Sequence, residues 1–177
     1  MDINECGYKE ESPQEAIRET NLLIDYIRDP DRCSDGHEPL IQPVLTPRFA
    51  LNCSDELLDS LGCLAKSDLT LRIQTHISEN KDEVADTLDR FQAESYAEVY
   101  EKFCLLRENT ILAHAVLLSD FEVALIKDKK AGISHCPTSN FNLTSGIARV
   151  GYFLDIGVKV RSFSPVLMKY IFLFVIS

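Results

Sequence analysis

The sequence holds 177 residues, 45% hydrophobic and 26% charged, with 18 Lys+Arg against 28 Asp+Glu and a formal net charge of −10. That composition suffices for one globular core, but the length falls short of the roughly 250 residues of a closed (β/α)8 barrel. So acidic a chain repels phosphate backbones and anionic bilayers, which argues against nucleic acid and membrane surfaces as partners.

In chain order, Ser12-Pro13-Gln14-Glu15 reads as a capping box with proline at the first helical position, and Ala16, Ile17, Leu23, Ile24 and Ile27 follow on one stripe. A polar loop with Pro30, Gly36 and Pro39 leads to an extended run over 41–49, whose two prolines suit the irregular end of a strand. Ser54 caps a second predicted helix with Leu57, Leu58, Leu61 and Leu64 as its buried face.

The most informative strand is Leu69-Thr70-Leu71-Arg72-Ile73-Gln74-Thr75-His76. Leu69, Leu71 and Ile73 share one face; Thr70, Arg72, Gln74 and His76 share the other. A polar face on a strand flanked by helices is expected where it points into a barrel lumen that hosts chemistry. Acidic, helix-prone sequence follows over 78–100, then a strand over 110–115 carrying His114. Ser119-Asp120-Phe121-Glu122 is a second capping box, opening a helix that stops near Gly132. A fourth strand over 131–136 carries His135, and 157–160 starts a fifth.

Strand and helix alternating at this spacing predict a parallel sheet with right-handed crossovers. All C-terminal strand ends then lie on one side, which brings Arg48, His76, His114 and His135 to one rim. His76-Ile77-Ser78-Glu79 sets an imidazole at a strand end and a carboxylate one turn on, suited to a zinc ligand with a proton carrier beside it. The plainer alternative is a hydrogen-bonded histidine and a helix-capping glutamate, and the second strand-end histidine, His114, weighs against it. His135 runs into the polar turn Pro137-Thr138-Ser139-Asn140 and reads as structural. Arg48 can donate to a carbonyl and Phe49 can line a flat pocket, though composition alone favours a surface arginine and a core phenylalanine.

Four runs carry a specific resemblance. Val44-Leu45-Thr46-Pro47-Arg48-Phe49, Ile73-Gln74-Thr75-His76-Ile77-Ser78-Glu79-Asn80, Ile111-Leu112-Ala113-His114 and Ser134-His135-Cys136-Pro137-Thr138-Ser139-Asn140 resemble the guanine deaminase family of the amidohydrolase superfamily, in its order and at about its spacing. Met1-Asp2-Ile3-Asn4 resembles the segment after that family's third barrel strand. The resemblance implies an α/β fold: a partial, incomplete TIM-type (β/α)8 barrel of the amidohydrolase superfamily, roughly strands three or four to eight. It implies zinc-dependent hydrolysis of guanine to xanthine and ammonia. His76 would be a zinc ligand close to the substrate, and Glu79 would carry a proton to the purine ring. Arg48 would bind the purine carbonyl with Phe49 beside it. His114 would orient the attacking water. A homodimer is also implied.

The family's single zinc ion takes two ligands from a His-x-His pair, one matched by His76, and an aspartate after the eighth strand. The only histidines here are His37, His76, His114 and His135, and no aspartate follows Asp155. The expected organisation is a barrel fragment over 1–160 and a non-homologous apolar tail over 161–177, the tail being too short, and broken by Lys169, for a membrane span. A truncated or misread product explains such a tail; a short membrane or partner anchor is the alternative. The competing functional reading is a pseudoenzyme or fragment that acts as a protein-binding subunit. Met1 leads into Asp2-Ile3-Asn4-Glu5 rather than a basic, apolar leader, and the six cysteines include no C-x-x-C pair. Both fit a cytoplasmic protein with reduced thiols, in which the Asn52 and Asn142 sequons are chance matches.

Overall fold

A computed structural model describes residues 1–3, 9–30 and 41–162. The predicted loop around Gly36 and Pro39 lies outside the described residues, as does the predicted tail over 161–177 except for Arg161 and Ser162, which pair with β4.

The first helix, α1 (Pro13–Arg28), starts as its capping signal requires: the Ser12 hydroxyl accepts the Glu15 N–H at 3.1 Å. It buries Ala16, Thr20 and Ile24. β1 is only Val44–Leu45. The rest of the run over 41–49 adds no ladder pairs, because Pro43 and Pro47 flank β1 and have no N–H to offer. A short 3-10 turn (Ala50–Asn52) leads to α2 (Asp55–Ser67), whose Ser54 cap accepts the Leu57 N–H.

β2 runs Arg72–Ile77, later than the sequence pattern predicts. The Asp68 carboxylate accepts both the Thr70 N–H, at 2.9 Å, and the Thr70 hydroxyl, at 2.6 Å, which closes a turn. Leu69 sits on that turn, 72% exposed, instead of in the core. From Arg72 onward the alternation holds. Ile73, Thr75 and Ile77 are buried, while Arg72, Gln74 and His76 are the less covered set.

The remaining elements are α3 (Lys81–Phe91), α4 (Tyr96–Lys102), β3 (Thr110–His114), α5 (Asp120–Asp128), β4 (Gly132–His135), α6 (Pro137–Asn142), α7 (Val150–Asp155) and β5 (Lys159–Ser162). The five strands pair in sequential order, all parallel. Val44 stands level with Arg72, Ile73 with Thr110, Ile111 with Gly132, and Gly132 with Lys159. A sequential parallel sheet with helical crossovers is a segment of a (β/α)8 barrel. One continuous core joins Ile73, Ile77, Leu112 and Ile133 of the sheet to Leu58, Leu61, Ile126 and Phe153 of the helices.

Two polar side chains, the buried Glu122 and the partly buried Arg107, fix the helices on that sheet. Glu122 Oε1 accepts the N–H groups of Tyr96 and Ala97, while its Oε2 accepts the N–H of Ser119, so one carboxylate caps the starts of both α4 and α5. Arg107 donates to the Leu71 carbonyl at 2.7 Å and tethers the approach to β3 to that of β2.

The helical layer is packed to contact. A Cβ on Gly62 of α2 would stand 1.9 Å from the Phe103 carbonyl oxygen at the end of α4. Gly62→Ala should therefore destabilise the chain by about 1–3 kcal/mol, as overpacking does. The measure is the urea midpoint, and an unchanged midpoint would mean that α2 and α4 do not pack in this way.

Candidate active site

Arg48 and Phe49 lie just past β1, beside the C-terminal half of β2. The His76 N–H donates to the Arg48 carbonyl at 2.7 Å, which ties the two strand ends together. Behind them sits the buried phenol of Tyr100 on α4. Its hydroxyl donates to the His76 carbonyl at 2.7 Å, accepts the Ala50 N–H at 3.1 Å and lies 2.8 Å from the Thr75 hydroxyl. Burial pushes this phenol's pKa up, so it remains a neutral donor. One side chain thus fixes the segment just after Arg48-Phe49 and the backbone of His76.

Glu79 and His114 leave their strands by left-handed turns. Ser78, just before Glu79, has φ of 50°, and His114 and Ala115 have φ of 73° and 53°. Consecutive non-glycine residues in this region are costly and persist only where surrounding bonds hold them. Here the Ala115 N–H donates to the Ile77 carbonyl, and the Val116 and Leu117 N–H groups both reach the Ser78 carbonyl at 3.1 Å. Glu79 is set by the neighbouring Glu83, whose Oε2 accepts the Glu79 N–H at 3.0 Å within the capping box of α3. Burial raises the Glu83 pKa, and the Tyr96 hydroxyl and these backbone donors oppose the rise.

The result is a compact group. The rings of His76 and His114 meet edge to face with centroids 4.8 Å apart, and Phe49 stacks on the other side of His76 at 6.3 Å. Arg48 lies 5.5 Å from the Phe49 centroid. Glu79 Oε1 stands 3.2 Å from His114 Nδ1, and Asn140 Oδ1 stands 2.9 Å from the same nitrogen. Burial, then His114, then Arg48 push the His76 pKa down to about 3, which keeps the imidazole in the neutral form that ligates metals. One ligand atom from each of His76, Glu79 and His114 falls within a 4.8 Å span, a donor set of the kind that surrounds a divalent cation.

Thus Arg48, Phe49, His76, Glu79 and His114, all singled out from sequence, form one connected cluster. His135 is not in the metal-competent group; it is partly buried, its pKa is lowered by burial, and its Nδ1 has no partner among the described residues. Sequence reading missed Tyr100, Thr75, Glu83 and Asn140. Tyr100 lies inside an unremarkable helix and offers no local signal, whereas Asn140 lies in α6, where the sequence pattern predicts a polar turn, and is buried there.

Comparison with known proteins gives the family and the fold. The profile of the Amidohydrolase family matches residues 7–164. The chain belongs to the amidohydrolase family. A guanine deaminase from Dictyostelium discoideum is 43% identical over 161 residues, which is 90% of this chain and 34% of that protein. The Homo sapiens guanine deaminase is 37% identical over 163 residues, again 90% of this chain and 34% of that protein. Among solved structures, the guanine deaminase from C. acetobutylicum with bound guanine in its active site superposes with a TM-score of 0.76 at 38% identity, covering 92% of this chain and 37% of that one. The chain spans about a third of the length of these relatives.

The Tyr100 hydroxyl predicts its own test. Tyr100→Phe removes the group that satisfies a buried N–H and a buried carbonyl, and should cost about 1–3 kcal/mol. It should also broaden or shift the His76 ring resonances. A variant as stable as the parent, with unshifted His76 signals, would remove Tyr100 from the scaffold of the site.

Proposed function

We propose that the polypeptide to which these residues belong is a zinc-dependent hydrolase that deaminates guanine to xanthine and ammonia, and that this chain carries one wall of its active site. The observation that carries the reading is the His76–Glu79–His114 cluster at adjacent strand ends, beside the Arg48-Phe49 pair. The similarity to guanine deaminases, one of them with guanine in its active site, supports guanine as the substrate.

Each residue has a chemistry suited to the part. Phe49 offers a flat apolar face to a purine, and the Arg48 guanidinium beside it donates to the purine carbonyl oxygen. Glu79, partly open with Oε1 3.2 Å from His114 Nδ1, carries a proton between the attacking water and the ring nitrogen. His114, held from behind, orients that water and steadies charge at the carbon that loses its amino group. The residues present fit one zinc ion in part: His76 is a neutral imidazole in a cluster of donor atoms and would be the ligand from this chain. Zinc, when bound, supplies Lewis acidity and a nucleophile available near neutral pH. The acidic charge and the reduced cysteines Cys53, Cys63, Cys104 and Cys136 support a cytoplasmic setting, and the family resemblance supports a homodimer. No helix among the described residues is long and apolar enough to cross a membrane.

A second reading, a non-catalytic subunit, is favoured by one fact: none of the four histidines forms a His-x-His pair, so the chain offers one of the family's expected zinc ligands. The two readings part on a direct assay. The 177-residue chain alone should hold well under one zinc and release no ammonia from guanine, since one ligand does not close a tetrahedral site. In a polypeptide that adds the missing ligands, guanine should turn over, Glu79→Gln should lower kcat by about 10²–10⁴-fold, and Arg48→Ala should mainly raise KM. No turnover by that complete polypeptide, with zinc bound, would sink guanine as the substrate.

A further inference from the structure

Asn140 has no part in the chemistry above, yet it is built into the site. It is 1% exposed, and its Oδ1 lies 2.9 Å from Nδ1 of His114. Its amide nitrogen is buried with no hydrogen-bond partner among the described residues. A buried donor left unpaired is uncommon, and it calls for a reason why the group is held there. Its backbone is fixed on both sides: the Asn140 N–H donates to the Cys136 carbonyl at 3.0 Å, and its own carbonyl accepts the Ser145 N–H at 2.9 Å. Proline at the first position of α6 sets that helix directly off the end of β4.

What faces Nδ1 of His114 decides the state of the ring. Two oxygens face it, Asn140 Oδ1 at 2.9 Å and Glu79 Oε1 at 3.2 Å, and carboxylate and amide oxygens accept. Nδ1 therefore carries the hydrogen, and the Asn140 amide must turn its oxygen, not its nitrogen, toward the ring. The reverse amide orientation would set two donors against each other.

We propose that Asn140 is a positioning residue that locks His114 as the Nδ1–H tautomer, leaving Nε2 with the lone pair that receives a hydrogen from the oriented water. Asn140 Oδ1 is the nearer of the two acceptors, 2.9 Å against 3.2 Å for Glu79 Oε1, and the more deeply buried. The catalytic consequence rests on the deaminase reading; the tautomer does not.

The test uses the 177-residue chain without metal or substrate. Long-range proton–nitrogen correlation spectra, assigned by replacing His37, His76 and His135 in turn, report which nitrogen of His114 is protonated. The parent should show Nδ1–H, Glu79→Ala should keep it, Asn140→Leu should give an averaged mixture, and Asn140→Asp should restore a single form. An Nε2–H tautomer in the parent would overturn the proposal, whether or not any variant folds. So would loss of the tautomer in Glu79→Ala, or an unchanged His114 pattern in a folded Asn140→Leu chain. In a polypeptide that adds the missing zinc ligands, Asn140→Leu should lower kcat by roughly tenfold or more with KM little changed, as when partners that orient a reactive imidazole are removed. A change confined to KM would also count against it. Failure of that polypeptide to act on guanine would remove the substrate and leave the tautomer result standing.

Discussion

The pairing of β2 with β3 is the constraint on which the rest of the structure depends. In that ladder His76 stands level with Ala113, and Ile77 with His114. Because the strands are parallel, their C-terminal ends face the same way, and chemistry distant in sequence collects at one rim. A slip of one residue would turn every side chain of β2 to the opposite face and bury Arg72, Gln74 and His76 against the helices. Ile73, Thr75 and Ile77, all buried, make that slip expensive. The hydrophobic side of the strand thereby fixes the aim of the polar side.

Buried polar groups then convert a rim into a site. Tyr100 and Glu83 reach the backbone next to His76 and Glu79 from two successive helices, so the outer layer positions the residues of the inner face. Glu122 does the same at one remove, since by capping α4 it holds the helix that carries Tyr100. These groups sit away from bulk water, where a hydrogen bond left unmade costs more than one formed gains. That asymmetry explains how His114 and Ala115 remain in left-handed conformations: their neighbours lose more by relaxing than the turn costs.

Much of this was readable in the residues. Alternation over 69–76, true from Leu71 on, the Ser12 cap and the Ser119 capping box announce period and boundary locally, and histidines at strand ends follow from topology once the sheet is parallel. Topology brings Arg48, His76, His114 and His135 to one rim, while the parts of Phe49 and Glu79 come from the family resemblance. Other features were hidden because their causes are not local. Leu69 looked like a core residue until the Asp68–Thr70 turn claimed it, and the run over 41–49 shrank to two paired residues between prolines. Tyr100 and Asn140 gain their meaning only from atoms brought to them by the fold. No periodicity could reveal that a phenol in α4 would meet the carbonyl of His76.

The central claim is that two imidazoles from adjacent strands share one mouth. Magnetisation transfer between the ring protons of His76 and His114 in the folded chain tests it most directly. With centroids 4.8 Å apart, the account predicts a clear cross-peak. Two fully assigned rings in a folded chain with no transfer between them would contradict it.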